Sequence, residues 1–197
     1  INELNCNVEV TTTENNGSII IYAKGKSAHA STPEHGENAV TALLKLIIDL
    51  PFSETESLKL LKNIVKLFPY GETNGDSLSL SCSDEKSGAL TLVFSVFDYS
   101  DGQFNGKLDI RFPLCETKQG VVDKLSKTLE LNGLTIIEAS GSEPHYVDEN
   151  SQFVQTLLNV YKEQTGLNPY CEAIGGGTYV HNNAENSRND RCQYNYR

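Results

Sequence analysis

Four histidines, an arginine in an alternating stretch and a run of three glycines are the parts of this 197-residue sequence that could carry chemistry. His29 lies in "GKSAHASTPEHGENAV" (25–40), where small residues surround the imidazole and Pro33, Gly36 and Asn38 come just before an apolar run. That placement puts a titratable, hydrogen-bonding ring at a turn between two structured elements. His35, His145 and His181 are scattered elsewhere. A two-metal hydrolytic site calls for converging carboxylates and imidazoles, with spacings such as HxH, HxD or HExxH or adjacent acids. None is present, and the nearest candidate, "HYVD" at 145–148, has no helical context to orient both groups. The spacing therefore predicts no complete metal site in this chain. A GxSxG serine elbow and a paired Cys/His signature are missing too.

The glycines of "AIGGGTY" (173–179) could present backbone N–H groups to an anion, since glycine permits close approach and positive φ. They could equally form a tight turn, for no Walker-type lysine follows and the GxGxxG spacing is absent. In "LDIRFP", alternation of Leu108, Ile110 and Phe112 puts Asp109 and Arg111 together on the opposite, polar face of a strand. Arg111 is there either a solvated edge charge or a group that binds a ligand.

The elements that must position these groups alternate between strand and helix. Runs 6–14 and 18–28 flank Asn16-Gly17, a good hairpin turn, and predict an antiparallel pair. Ala39, Val40, Leu43, Leu44, Ile47 and Leu50 recur at helical spacing before Pro51. Ser53 and Glu56 have the capping-box spacing for a second helix, with Leu58, Leu61, Val65 and Phe68 on one face. Strands are expected at 77–83, 89–99, 106–113 and 134–140, with a helix over 118–131. A last helix over 150–165 carries Phe153, Val154, Leu157, Leu158 and Tyr161. The pattern implies an α+β fold, a largely antiparallel sheet with helices on one face, nearest to the ferredoxin-like arrangement. The final 30 or so residues turn polar and aperiodic, as expected of an exposed tail.

Composition bounds the function. A net charge of −10, from 16 Lys and Arg against 26 Asp and Glu, argues against a nucleic-acid partner but not against a local cationic pocket. No apolar stretch approaches a membrane span, and neither a basic start nor an apolar core marks a signal peptide. Five widely spaced cysteines without a CxxC are expected to be reduced cytosolic thiols, giving a cytoplasmic localisation. With no methionine anywhere, the chain reads as a fragment or a processed product.

The segment 25–40 closely resembles the "GxxxHAxxPxxGxNA" stretch in the lid, or dimerisation, domain of the M20 family of metallopeptidases. "GKLDIRFP", "SEPHYVDENSQFVQTLLNVYKEQTG" and "EAIGGGTY" follow in the order of the PepV-like branch, the Xaa-His (carnosinase-like) dipeptidases, so that the resemblance covers residues 18 to about 179. It implies that His29 projects from the lid over the metals of another domain and stabilises the oxyanion of the scissile carbonyl. It implies that Arg111 binds the C-terminal carboxylate of a dipeptide, with Gly175, Gly176, Gly177 and Thr178 contacting the same end. It further implies residues 1–145 as the lid and 146–197 as a segment returning toward a catalytic domain. That domain would hold zinc, or manganese or cobalt. None of the family's metal ligands is in this sequence, nor the asparagine of its upstream "NMVPD"-like stretch, and an unrelated polar tail follows Tyr179. The chain is thus expected to be an excised lid, inactive by itself and bound to no metal; the alternative is a stand-alone ligand-binding or dimerisation module, able to form a homodimer. A phosphate-binding domain built around "IGGGT" rests on the glycine run alone.

Overall fold

The computed structural model describes residues 7–100 and 102–176. The chain opens with a hairpin, β1 (Glu9–Asn15) and β2 (Ser18–Lys24), turning at Asn16-Gly17, where both residues take positive φ as a tight hairpin turn requires. Helices α1 (Ala39–Ile48) and α2 (Glu56–Leu67) follow, then the short ladder of β3 (Ser83–Asp84) and β4 (Gly88–Ala89). The long hairpin of β5 (Thr91–Ser100) and β6 (Gln103–Arg111) precedes α3 (Lys118–Glu130) and α4 (Gln152–Thr165). Among the described residues all strand pairing is antiparallel, in three two-stranded sheets, and the class is α+β as the sequence predicts.

The core lies between the inner face of β5–β6 and the first three helices. Leu44 of α1, Ile64 and Leu67 of α2, and Val121, Leu125 and Leu129 of α3 enclose Leu92 and Phe94 of β5. Phe68 stacks on Phe94 with ring centroids 4.4 Å apart, an arrangement that adds to the area both rings bury. Side chains start each helix: Asn38, Thr55, Thr117 and Ser151 accept the orphan N–H groups of the first turns of α1 to α4. Thr55, not Ser53, is therefore the cap of α2; the residue two nearer the helix has the reach to Leu58 N–H.

Two expected strands take other forms. Ser79 adopts φ +59° after a 3-10 turn at Asp76–Leu78, so the chain folds back and both Leu78 and Leu80 are buried. Serine-leucine alternation over 77–83 encodes that turn rather than a ladder. Residues 134–140 form no ladder: Leu134 and Ile136 pack on the core while Ile137 is 87% exposed. Helix α4 has its expected span, yet only Val154 is buried, and Phe153, Leu157, Val160 and Tyr161 face outward.

Candidate functional site

Residues 26–37 form a closed loop between β2 and α1. Its neck is a two-way backbone bridge, Lys26 N–H to Glu37 O at 3.0 Å and Glu37 N–H to Lys26 O at 2.8 Å. A Cβ on Gly25 would sit 2.0 Å from Glu37 O, so this close approach demands glycine. At the loop's near end, Thr32 N–H donates to His29 O at 2.9 Å, and Pro33–His35 add a 3-10 turn. At its far end Asn38 does double duty: its Oδ1 caps α1 through Val40 and Thr41 N–H, and its Nδ2 donates to Phe94 O of β5 at 2.9 Å.

His29 is exposed at the tip, and Ser31 holds its ring. The Ser31 backbone N–H donates to His29 Nδ1 at 3.2 Å, and the Ser31 hydroxyl lies 2.7 Å from the same nitrogen. A backbone N–H can only donate, so Nδ1 carries the lone pair and the ring proton sits on Nε2. Ser31 itself is buried, which fixes the support behind an exposed imidazole.

Thr91, the first residue of β5, joins this loop to the long hairpin. Its side chain is buried and donates to Ala30 O at 2.8 Å, one residue beyond His29. In the ladder Thr91 stands directly opposite Arg111, the last residue of β6. Directly paired residues share a face, so the same strand position that anchors the loop flanks the arginine.

Arg111 is side-on to Asp109: Nε donates to Oδ1 at 2.7 Å and Nη2 to Oδ2 at 3.1 Å. Its Nη1 donates to Gly175 O at 3.1 Å. Three of the five guanidinium N–H groups are thereby engaged, and the group is one-third exposed. The Asp109 carboxylate neutralises and orients the cation, leaving one N–H on each of Nη1 and Nη2 for a further acceptor. Gly176 lies beside His29, whose Cε1 would be 4.0 Å from a Cβ built on that glycine.

Three separate stretches therefore meet: the 26–37 loop, the end of β6 and the glycine segment. Of the residues singled out in the sequence, His29, Arg111, Gly175 and Gly176 come together; Gly177, Thr178 and His181 lie outside the described residues. His35 sits in the 3-10 turn and His145 lies beyond α3. Among the described residues no group of three or more His, Cys, Asp and Glu is placed to hold a metal ion. None of their helices is long and apolar enough to cross a membrane. The supports are silent in the sequence. Thr91 and Ser31 carry no motif, whereas the shared face of Asp109 and Arg111 was visible in the strand alternation and only their pairing was not.

Nearby charges strengthen the frame. Glu37 at the neck accepts from Tyr70 OH at 2.5 Å and Asn7 Nδ2 at 2.9 Å. The Tyr70 bond first, then Asn7 and the Lys26 charge, hold its carboxyl below the ordinary value, against a smaller opposing effect of burial.

Residues 11–134 match the M20 peptidase dimerisation domain. Over 167 residues the chain is 32% identical to "Putative dipeptidase YtjP" of Bacillus subtilis, covering 84% of this chain and 35% of that protein. It is 29% identical over 174 residues to a "Putative dipeptidase" of Staphylococcus epidermidis, covering 86% of this chain and 36% of that one. The chain spans about a third of the length of these curated relatives. With the match extending from β1 to beyond α3, across the loop of His29 and the strand of Arg111, the chain belongs to the M20 peptidase dimerisation-domain family.

Proposed function

We propose that this chain is the lid of a dinuclear-metal dipeptidase of the PepV-like, Xaa-His (carnosinase-like) branch, working with a catalytic domain outside this sequence. The observation that carries the reading is the meeting of His29, Arg111 and the 175–176 glycines from three distant stretches. In this role His29 donates its Nε2–H to the scissile carbonyl oxygen as negative charge develops there. Such a donor in a closed site is typically worth roughly 3 to 4 kcal/mol. Arg111 offers the free N–H groups of Nη1 and Nη2 to the substrate's C-terminal carboxylate, a planar fork that a lysine cannot imitate. Gly175, Gly176, Gly177 and Thr178 line the same end. Residues 1–145 act as the lid, and 146–197 lead toward the catalytic domain. Zinc, or manganese or cobalt, belongs to that domain, and the setting is cytoplasmic.

The test is metal retention and hydrolysis by the purified chain after incubation with Zn²⁺ or Mn²⁺ and gel filtration. Near-zero retained metal and no dipeptide hydrolysis are expected. One or two tightly held ions, or turnover by the chain alone, would overturn the assignment.

A second reading, a self-associating module, is favoured by the exposed Ile19, Ile20 and Tyr22 on β2 and by the dimerisation-domain match. Concentration-dependent sedimentation together with no affinity for dipeptides would select it.

A further inference from the structure

A backbone nitrogen attacks the preceding asparagine side chain most readily where it belongs to glycine, which leaves it unshielded. The chain has four such pairs: Asn16-Gly17, Asn74-Gly75, Asn105-Gly106 and Asn132-Gly133. The fold holds three of them away from that reaction. Asn74 Nδ2 donates to Asp76 Oδ2 at 2.9 Å, its Oδ1 accepts from Asp76 N–H at 3.3 Å, and Gly75 is buried against Leu80. Asn105 and Gly106 are rungs of the β5–β6 ladder, opposite Asp98 and Phe97, and a Cβ on Gly106 would lie 2.7 Å from the Phe94 ring. Asn132 Nδ2 donates to Thr128 O at 2.9 Å and Gly133 N–H to Glu130 O at 3.1 Å, so both reacting groups are bonded. Asn16-Gly17 differs in each respect. Both residues are exposed, nothing lies within 4 Å of a Cβ built on Gly17, and among the described residues no hydrogen bond holds the Asn16 amide or the Gly17 N–H.

Turn geometry favours closure as well. Asn16 at φ +50° and Gly17 at φ +80° make a type I′ turn between Asn15 and Ser18. Type II′ shares the positive φ of the first central residue and differs by a flip of the peptide between the two, which takes that residue's ψ to about −120°. The flip swings the Gly17 nitrogen toward the Asn16 side-chain carbonyl, as ring closure demands, and both turn types match the twist of a hairpin. The β1–β2 ladder can therefore stay intact while the ring closes.

We propose that Asn16 is a site of deamidation and isomerisation, the hydrolytic weak point of the fold. The Gly17 nitrogen attacks Asn16 Cγ and gives up its proton to solvent base; the Cγ–Nδ2 bond breaks and ammonia leaves, closing a succinimide ring. Water then adds at one of the two ring carbonyls. Addition at Cγ opens the ring to aspartate, and addition at the backbone carbon opens it to isoaspartate, with the chain now running through the former side chain. One water is consumed and one ammonia released, and no oxidant or cofactor enters. Either product adds a negative charge to a chain of net charge −10, and isoaspartate lengthens the tight loop by a methylene, against the register that pairs Glu9 with Lys24.

The experiment incubates the full chain in mildly alkaline buffer, native and in urea, and maps peptides by mass at intervals. An isoaspartyl methyltransferase with labelled S-adenosylmethionine reports the isoaspartate. In urea the Asn-Gly pairs should convert at similar rates. In the native chain Asn16 should lead each of the others by on the order of tenfold, the retardation that two ordinary hydrogen bonds supply. Asn16→Gly keeps a sequence suited to the turn and should remove the leading product while the slower ones remain. Asn74, Asn105 or Asn132 converting as fast as Asn16 in the native chain, or an undiminished leading product in Asn16→Gly, would overturn the proposal.

Discussion

The ring nitrogens of His29 are made unequal by one neighbour. Ser31 supplies both contacts to Nδ1, so Nε2 is the nitrogen left with a proton to offer. Replacing Ser31 by alanine keeps the backbone bond and removes the hydroxyl, so ¹⁵N NMR of labelled histidine should show a more mixed tautomer population, restored by Ser31→Thr. An unchanged spectrum would mean that the hydroxyl does not direct the ring. Under the proposed function, in a protein that joins this chain to a catalytic domain, His29→Ala should lower kcat by about 10²- to 10³-fold with little change in KM, the signature of an interaction made in the transition state. A KM effect alone would move His29 from the reacting oxygen to ground-state binding. Arg111→Lys should fail to restore dipeptide binding lost in Arg111→Ala. A point charge cannot hold Asp109 side-on, reach Gly175 O and still present a two-pronged edge. Equal binding of a C-terminally amidated dipeptide would contradict this.

At the scale of elements, β5 and β6 are a frame on which loops are hung. Thr91→Val keeps the shape of the side chain but leaves Ala30 O without its donor, and should cost about 1–3 kcal/mol of stability. Ser87→Ala should cost a similar amount, because Ser87 is buried and both Leu114 N–H and Asp84 lose a partner. Denaturant unfolding measures both, and losses within experimental error would mean that water replaces these bonds. The strands of the two long hairpins and all four helices are legible in the sequence, because each has its own apolar period and its own cap or turn. Residues 77–83 and 134–140 are not, since alternation records which side chains are apolar and a ladder also needs a free partner edge. The candidate site divides likewise. His29, Arg111 and the glycines stand in local motifs, whereas Thr91 is 61 residues from Ala30 and only tertiary folding brings them together.

Across the whole molecule, carboxylates that stitch distant segments set the response to acid. Glu37 links Asn7 and Tyr70, and its carboxyl lies below its ordinary value of 4.5. For Asp84, burial raises the carboxyl, but the Ser87 hydroxyl and the Ser87, Lys86 and Cys115 N–H groups outweigh it and hold it below 3.8. A lowered carboxyl contributes stability that is fully present above the unfolded value and is lost as pH falls through the folded one. Thermal midpoints should therefore decline between about pH 5 and pH 3, and Tyr70→Phe should flatten its share of that decline. A parallel decline in wild type and variant would show that the Tyr70 bond takes no part. Exposed Phe153, Leu157, Val160 and Tyr161 leave one side of α4 apolar.

The pairing of Thr91 with Arg111 has a mechanical meaning. If this chain moves as a lid, as the proposed function has it, the imidazole and the guanidinium would travel together, since the loop of one is pinned to the strand partner of the other. Under the proposed function, opening wider would admit a longer peptide to the cleft without moving these two groups apart. Substrate length would then be set by the rungs of a β-ladder, and engineering for longer peptides would begin with inserting residues at that strand end rather than with loosening the hinge.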